Sequence, residues 1–259
     1  AKIRIRTITS RMNDGEKSVL GIIAGSGSLP AELVAACANI GRRVFVLGLD
    51  GAADMQQFSH VPHAVIRVGA VGEGLTLLRG AGVSQVVLAG GVKRPPLTSL
   101  MPDAAGASLL AKLGKKFFSG DDALLSALVE FFEEQGFSVI GAQDVFSSLT
   151  VTEGVLGHVL PSTQEYDDIA LGMQAAKMLG VQDIGQAVIV EDGVVLGTEA
   201  TEGTDALINR CAGLKRQAKS GVLIKAIKPG QNKRVDLPSI GPETIRKLHD
   251  TGFSGVAIE

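Results

Sequence analysis

The chain has few aromatic residues and few cysteines, and both shortages exclude classes of protein. Aromatic residues make up 4% of the 259 residues and tryptophan is absent, which is unlike the core of an immunoglobulin-type β-sandwich. The two cysteines, Cys37 and Cys211, lie far apart without C-x-x-C spacing, so they are expected to be reduced and buried. His60 and His63 form a close pair of histidines without a third ligand nearby, which argues against a zinc site.

An excess of positive charge and long hydrophobic runs are also missing. Lysine and arginine number 25 and aspartate and glutamate 27, giving a formal net charge of −2. The chain therefore lacks the basic surface that binding to a nucleic-acid backbone requires. No apolar run approaches the ~20 residues that span a bilayer, and residues 1–18 lack the apolar core of a signal peptide. A cytoplasmic protein is expected, with residues 1–18 as an N-terminal tail of no assigned function.

Glycine is abundant, with 33 residues, and short apolar segments alternate with helical ones. Strand Val19–Ala24, helix Ala31–Ile40 and strand Arg43–Leu47 form a predicted βαβ unit. Further strands are predicted at Ala64–Val68, Val86–Leu88 and Ser138–Ile140, with helices at Leu75–Ala81 and Asp122–Gln135. The pattern predicts an α/β fold whose N-terminal domain, residues 19–148, holds a Rossmann-like parallel sheet.

A smaller, distinct α/β domain is predicted over residues 162–259, after a linker at 149–161 that contains Ser, Thr, Gly and Pro. Asp192-Gly193 is expected to turn a β-hairpin between strands Ala187–Val190 and Val194–Leu196. The other elements predicted here are helices Asp167–Leu179, Asp205–Cys211 and Glu243–Thr251 and strands Val222–Ala226 and Val256–Ile258.

The turn Gly25–Pro30 lies between the first predicted strand and helix. Glycines in such a turn let backbone amides approach a phosphate, and the helix dipole favours negative charge, so Gly25, Gly27 and Ser28 are candidate substrate-binding residues. A purely structural turn is an open alternative. Asp50 follows the second strand, where a dinucleotide-binding fold has its ribose-binding acid. However, Pro30 replaces the third glycine of that fingerprint and disfavours a nicotinamide cofactor.

A second glycine loop, Ala89–Pro95, follows another predicted parallel strand and should emerge at the same edge of the sheet. Gly90, Gly91 and Lys93 are therefore predicted to meet the first loop and to bind phosphate with it, although Lys93 and Arg94 are also explained by a solvated basic pair. The segment Gly120-Asp121-Asp122 precedes a predicted helix. Asp122 is a candidate for the substrate site, and helix capping is its open alternative.

The predicted second domain carries a denser cluster of acids and bases in Glu202–Asp205, Lys225, Lys228 and Arg234–Gly241. Hydrolysis of a pyrophosphate requires neutralised phosphoryl charge and a positioned water, which a carboxylate-held Mg²⁺ with Lys or Arg provides. Simpler explanations stay open: Thr204 or Asp205 caps a helix, Asp236 forms an Asx turn, and the lysines are solvated.

The order and spacing of several motifs resemble the LpxI family, the UDP-2,3-diacylglucosamine pyrophosphatases of lipid A biosynthesis, over nearly all of residues 19–259. The segments that carry this resemblance are Ile23–Pro30, Ala89–Pro95, Leu100–Asp103, Gly120–Leu125, Asp183–Gln186, Glu202–Asp205 and Arg234–Pro238. The sequence departs from the family at Gly91, where relatives carry a polar side chain, and family members usually continue beyond the position of Glu259.

The resemblance implies hydrolysis of UDP-2,3-diacylglucosamine to UMP and 2,3-diacylglucosamine 1-phosphate in a cleft between the two domains, with Mg²⁺ or Mn²⁺ as cofactor. It also implies a homodimer that works at the cytoplasmic face of the inner membrane. Asp236 matches the family's essential aspartate. The positions Ser28, Gly90, Thr204, Asp205 and Lys225 match residues that line the family's substrate site.

The resulting hypothesis assigns catalysis to Asp236, Asp205 and Lys225. Asp236 holds Mg²⁺ or orients water, Asp205 supports the metal or a substrate hydroxyl, and Lys225 stabilises phosphate charge. The predicted substrate-binding residues are Gly25, Gly27, Ser28, Gly90, Gly91, Lys93, Asp122, Thr204 and Arg234. The competing interpretations are a non-catalytic nucleotide- or lipid-binding module and a nicotinamide oxidoreductase.

Overall fold

A computed structural model describes residues 18–93, 96, 100–114, 121–235 and 237–259, without the side chains of Asp121 and Ser148. The strands of this part are β1 Val19–Ala24, β2 Val44–Leu49, β3 His63–Ile66, β4 Val83–Ala89, β5 Ser138–Val139, β6 Ala187–Glu191, β7 Val194–Thr198, β8 Val222–Lys225 and β9 Gly255–Ile258. Its helices are α1 Leu29–Asn39, α2 Val71–Gly80, α3 Ala104–Leu113, α4 Asp121–Glu134, α5 Ala142–Val145, α6 Thr163–Val181, α7 Thr204–Ala212 and α8 Pro242–Asp250. The predicted catalytic Asp236, the loop residue Arg94 and tail residues 1–17 lie outside the described residues.

The chain divides into two compact units. One unit runs to Gly106 and includes Gly136–Ile140, and the other comprises Ala107–Gln135 and Gly141–Glu259. The first unit contains the sheet of β1 to β5, and the second contains α4 and the sheet of β6 to β9. The domain boundaries that the sequence indicates, 19–148 and 162–259, stay a prediction.

The sheet of the first unit is parallel throughout and has the strand order β3-β2-β1-β4-β5. Every residue of the central strand β1 is buried, as expected for a parallel strand covered on both faces. Ala24 pairs with Gly48 of β2 and with Ala89 of β4, so the three strands end level with one another. The predicted α/β class with a Rossmann-like parallel sheet is confirmed.

The strand order reverses between β1 and β4, because β2 lies on one side of β1 and β4 on the other. In open α/β sheets, ligands bind outside the carboxyl ends of the strands at such a reversal. The two glycine loops that follow β1 and β4 therefore lie at the edge where the fold favours a binding site.

Helix α3 is an element that the sequence pattern did not indicate. It begins directly after Asp103, whose carboxylate accepts hydrogen bonds from the amides of Gly72 at 2.7 Å and Glu73 at 3.2 Å in the first turn of α2. The same carboxylate accepts the amide of Gly106 in the first turn of α3 at 2.7 Å. One side chain thus caps the starts of two helices.

The sheet of the second unit has the order β7-β6-β8-β9, and its inner strands β6 and β8 are packed on both faces. Alternate residues of β6 point to opposite sides: Ile189 packs with Leu207 and Ile208 of α7, and Val188 packs with Ala176 of α6. The hairpin between β6 and β7 turns where predicted, at residues with positive φ angles of 48° for Asp192 and 75° for Gly193.

The buried carboxylate of Asp168 in α6 holds this hairpin turn in place. It accepts the amides of Asp192 at 2.9 Å and Gly193 at 2.7 Å. The side-chain amide of Gln164, one turn earlier in α6, also donates to this carboxylate at 3.1 Å. No helix of the described ranges is long and apolar enough to cross a membrane.

Candidate functional site

The two glycine loops of the first unit are joined to each other by hydrogen bonds. The amide of Ser26 donates to the carbonyl of Gly91 at 2.8 Å, and the amide of Gly91 donates to the carbonyl of Ser26 at 3.0 Å. The hydroxyl of Ser26 also donates to the Gly91 carbonyl, at 2.9 Å. The predicted meeting of the loops at one edge of the sheet is therefore present, and Ser26, which the sequence did not single out, joins them.

Close packing of the loop backbones explains two of the glycines. A Cβ atom on Gly25 would lie 2.5 Å from the carbonyl oxygen of Gly91. Gly90 has a φ of 87°, and a Cβ atom there would meet the Ser26 carbonyl. These glycines are needed for the loop geometry itself, whether or not the loops bind phosphate.

The remaining predicted residues of these loops face solvent. Ser28 occupies the N-cap position of α1 but makes no side-chain capping hydrogen bond, and both its side chain and Gly27 are exposed. Gly27 has a φ of 95°. Lys93 is exposed as well. A ligand at this edge would therefore find the Ser28 hydroxyl accessible beside the start of α1.

A buried polar cluster lies in the second unit, where α7 begins next to β8. Lys225, the last residue of β8, is 6% exposed, and its ammonium donates to the Thr204 hydroxyl at 3.1 Å and to the carbonyl of Ser239 at 2.9 Å. The hydroxyl of Thr204, the first residue of α7, lies 2.6 Å from a carboxylate oxygen of Glu199. Two of the predicted site residues, Thr204 and Lys225, are thus in direct contact.

Glu199 belongs to this cluster although the sequence did not single it out. It is 8% exposed, and its second carboxylate oxygen accepts the amide of Gln186 at 3.2 Å. Gly185 permits this arrangement, because a Cβ atom at that position would collide with the Glu199 carbonyl. The side-chain oxygen of Gln186 is buried without a hydrogen-bond partner. The sequence signals that pointed toward this region were the motif Asp183–Gln186 and the predicted residues Thr204 and Lys225, and none of them named Glu199.

Asp205 lies next to Thr204 in the chain but takes a different partner. Its carboxylate pairs with Lys247 of α8 at 2.9 Å, and its side chain is 55% exposed. Across the described ranges, no group of three or more His, Cys, Asp or Glu side chains is arranged to hold a metal ion. Asp205 is therefore not part of any such group within these ranges, and its predicted metal role stays a prediction.

Asp122 and Arg234 are linked through the loop after β8. The amide of Asn232 donates to the carboxylate of Asp122 at 3.4 Å, and the side chain of Arg234 donates to the Asn232 side-chain oxygen at 3.3 Å. Arg234 also forms an ion pair with Glu133 of α4 at 2.6 Å. The predicted pair is thus brought into one network.

Lys228, a member of the predicted acid and base cluster, pairs with a different residue. Its ammonium lies 2.5 Å from the carboxylate of Asp183. The side chains of both residues are largely buried, so this ion pair is better shielded from water than a typical surface pair.

Comparison with known proteins gives two family matches that together cover most of the chain. Residues 19–149 match the LpxI N-terminal domain, and residues 152–259 match the LpxI C-terminal domain. The chain is also 40% identical over 246 residues to the UDP-2,3-diacylglucosamine pyrophosphatase LpxI of Caulobacter vibrioides, covering 93% of this chain and 88% of that protein.

A solved structure gives a much weaker likeness. It is the N5-carboxyaminoimidazole synthase of Aspergillus clavatus in complex with ADP and 5-aminoimidazole ribonucleotide. The identity is 11%, with 78% of this chain and 45% of that chain covered, and the TM-score is 0.27. A likeness of this size supports no conclusion about function.

Proposed function

Because the chain belongs to the LpxI family, we propose that it hydrolyses the pyrophosphate bond of UDP-2,3-diacylglucosamine. Water attacks one phosphorus, the bond from that phosphorus to the bridging oxygen breaks, and UMP and 2,3-diacylglucosamine 1-phosphate are released. The observation that carries this proposal is the likeness of nearly the whole chain to both LpxI domains and to a relative of that activity. The location of the site between two domains stays a prediction.

Lys225 is the group we propose to stabilise charge on the phosphates. Its ammonium is buried, so its attraction for an anion is weakened less by water than that of a surface lysine. Thr204 and the Ser239 carbonyl hold the ammonium in one place. The start of α7 beside it adds the partial positive charge of a helix N-terminus.

We propose Mg²⁺, or Mn²⁺, as the cofactor, held by Asp205 and Asp236. Proteins usually bind Mg²⁺ with one or two carboxylates and complete its shell with water and substrate phosphates, so two aspartates form an adequate donor set. Asp205 is exposed and its ion pair with Lys247 is worth little in water, so its carboxylate can change partners. When bound, the metal would neutralise phosphoryl charge and activate water.

Contact with a lipid surface is also proposed, because the substrate carries two acyl chains. The described segment between α5 and α6 exposes several large apolar side chains, namely Val151, Val155, Leu156, Val159 and Leu160. Exposed apolar patches mark interaction sites, including membrane sites, and these five side chains lie between positions 151 and 160 of the chain. A homodimer is proposed from the resemblance and from the prevalence of two-fold dimers among soluble oligomers.

The test is release of UMP from UDP-2,3-diacylglucosamine by the purified protein, with Mg²⁺ and with a chelator. We expect metal-dependent release, and we expect Asp236→Ala to lower turnover by about a thousandfold, the loss that follows removal of a group acting on the reacting charge. Asp250→Ala is the matched control, since Asp250 is exposed at the end of α8. It should retain parental turnover.

Either of two results would contradict the proposal. Near-parental turnover by Asp236→Ala would remove Asp236 from the mechanism. Binding of UMP without any release by the folded parent would instead favour the non-catalytic binding module. Titration with NADH tests the nicotinamide oxidoreductase interpretation, which requires a saturable binding signal.

A further inference from the structure

Two buried side chains of opposite charge lie on either side of a single hydroxyl. Lys225 and Glu199 are 6% and 8% exposed. The Thr204 oxygen is 3.1 Å from the ammonium nitrogen and 2.6 Å from the carboxylate oxygen. Burial of a charge costs free energy unless a partner compensates it. The contacts of Lys225 and Glu199 with the same hydroxyl therefore require a reason why the fold keeps two charges buried here.

The protons of the three groups can be assigned from their chemistry. An ammonium only donates, so the Thr204 oxygen accepts from Lys225. The single hydroxyl proton is then left for Glu199, which as a carboxylate only accepts. Glu199 therefore fixes the direction of the Thr204 hydroxyl and turns its lone pairs toward the ammonium.

We infer that Glu199 is a positioning residue of the active site, acting on Lys225 through Thr204. This inference rests on the proposed function, in which Lys225 stabilises phosphate charge. With Glu199 in place, the ammonium is held by an acceptor of fixed orientation and by a negative charge one hydroxyl away. Without Glu199, the hydroxyl can rotate and the ammonium loses its alignment, and small errors in alignment are costly to catalysis.

The surroundings of Glu199 require a carboxylate and not merely a polar side chain of the same shape. One oxygen accepts the Thr204 hydroxyl and the other accepts the amide of Gln186. Glutamine offers one acceptor oxygen, so its NH₂ group would face one of these two donors. Glu199→Gln therefore breaks the arrangement with almost no change in volume.

The decisive experiment measures Glu199→Gln in three backgrounds: the parent, Thr204→Ser and Thr204→Val. In the parent we expect kcat for UMP release to fall about 10- to 100-fold with little change in KM. Serine keeps the hydroxyl, so the loss should be of the same size there. Valine removes the hydroxyl, so Glu199→Gln should lower kcat by less than about twofold in that background. The effects of two substitutions do not add when the residues act through each other.

The matched control is Glu202→Gln. Glu202 lies three residues from Glu199 but pairs with Arg210 at 2.8 Å, so kcat should stay at the parental value. Thermal unfolding followed by circular dichroism identifies variants that are not folded at the assay temperature. If Glu199→Gln does not fold, Glu199→Asp replaces it, since aspartate keeps the charge but is one methylene too short to reach Thr204.

A second measurement is independent of turnover and separates this inference from the proposed function. In protein labelled with ¹⁵N-lysine, the Lys225 ammonium should give a slowly exchanging signal, identified by its absence in Lys225→Met. We expect that signal to broaden in Glu199→Gln and in Thr204→Val and to persist in Glu202→Gln. If the parent releases no UMP but the signal depends on Glu199, the proposed function fails and the positioning role stands.

Two outcomes overturn the inference. One is an equal cost of Glu199→Gln in the Thr204→Val and Thr204→Ser backgrounds, which would show that Glu199 does not act through the hydroxyl. The other is an unchanged Lys225 signal in folded Glu199→Gln.

Discussion

At the residue scale, the single carboxylate of Asp103 stabilises the starts of two helices, α2 and α3. Burial raises the pKa of the Asp103 carboxyl, but hydrogen bonds from the amides of Gly106, Glu73 and Gly72 outweigh burial and bring the pKa below its ordinary value. A carboxyl whose folded pKa is lowered stabilises the fold fully above its unfolded pKa, near 3.9 for aspartate. That contribution is lost as the pH falls through the folded pKa.

We therefore expect Asp103→Asn to lower the free energy of unfolding by about 1–2 kcal/mol near neutral pH, because asparagine has one acceptor oxygen and leaves one of the two helix starts without its cap. The difference from the parent should shrink as the pH falls below ~4, where the parental carboxyl becomes protonated. Urea unfolding at a series of pH values measures both effects. Asp54→Asn is the control, because Asp54 caps only one short helix, the single 3₁₀ turn Met55–Phe58. A difference that is constant across the pH range would contradict this account.

Residue types predicted Thr204 and Lys225 as members of one cluster of acids and bases, and the resemblance to the LpxI family assigned both to the substrate site. Their contact is present in the structure, and their role in the site stays a prediction. Glu199 was not predictable in this way. It lies in a segment with several other acidic residues, and only the fold shows that its carboxylate is buried while Asp205 is exposed. Burial of a polar side chain depends on tertiary packing, which a single sequence does not display.

At the element scale, strands and helices with strong hydrophobic patterns were predicted to within a few residues. Strand β1 begins and ends as predicted, and the hairpin turn at Asp192-Gly193 follows from the local chemistry of these residues. Helix α3 was missed because its start depends on Asp103 and on contacts with α2, 31 residues away in the chain. Such a long-range cap leaves no periodic signal in the sequence.

Helix α6 offers a prediction at this scale, because it approaches the second sheet at a glycine. A Cβ atom on Gly172 would lie 2.5 Å from Cδ1 and 3.1 Å from Cβ of Ile224, which is fully buried in β8. Alanine favours a helix over glycine by about 1 kcal/mol, whereas overpacking a core costs about 1–3 kcal/mol. The difference between the two terms predicts that Gly172→Ala lowers the free energy of unfolding by up to about 2 kcal/mol, measured by urea denaturation.

Gly80→Ala is the matched control. Gly80 is the last residue of α2 and has open space where a Cβ atom would be, so the same substitution should be neutral or stabilise by up to about 1 kcal/mol. Equal effects at the two positions would show that close packing against Ile224 is not what requires glycine in α6.

At the scale of the whole molecule, the alternation of strands and helices was enough to predict two sheets of different kind. The parallel sheet follows from repeated βαβ units and the antiparallel pair from a hairpin signal. The grouping of α4 with the second unit was not apparent from the sequence. A helix contributes a similar apolar stripe whichever unit it packs against, so periodicity does not assign it to one of them.

The proposed contact with lipid is a property of the whole protein, and its electrostatics can be predicted. The segment 149–162, which exposes Val159 at 84% and Leu160 at 73%, contains no lysine or arginine. Its binding to a membrane must therefore come from burial of apolar surface and not from attraction to anionic headgroups. We expect sedimentation with neutral phosphatidylcholine vesicles to be at least as strong as with anionic vesicles, and to be unaffected by salt.

Replacing both Val159 and Leu160 by serine should lower vesicle binding by roughly tenfold or more, since each apolar side chain that enters the lipid contributes on the order of 1 kcal/mol. Met178→Gln is the control, because Met178 is equally exposed but lies on α6, away from this segment in the chain.

Binding that requires anionic lipid and disappears in high salt would assign the contact to a basic surface instead. Binding unchanged in the double serine variant would exclude the segment. Turnover on substrate presented in detergent micelles should stay close to the parental value in the double variant, because neither residue belongs to the proposed catalytic group.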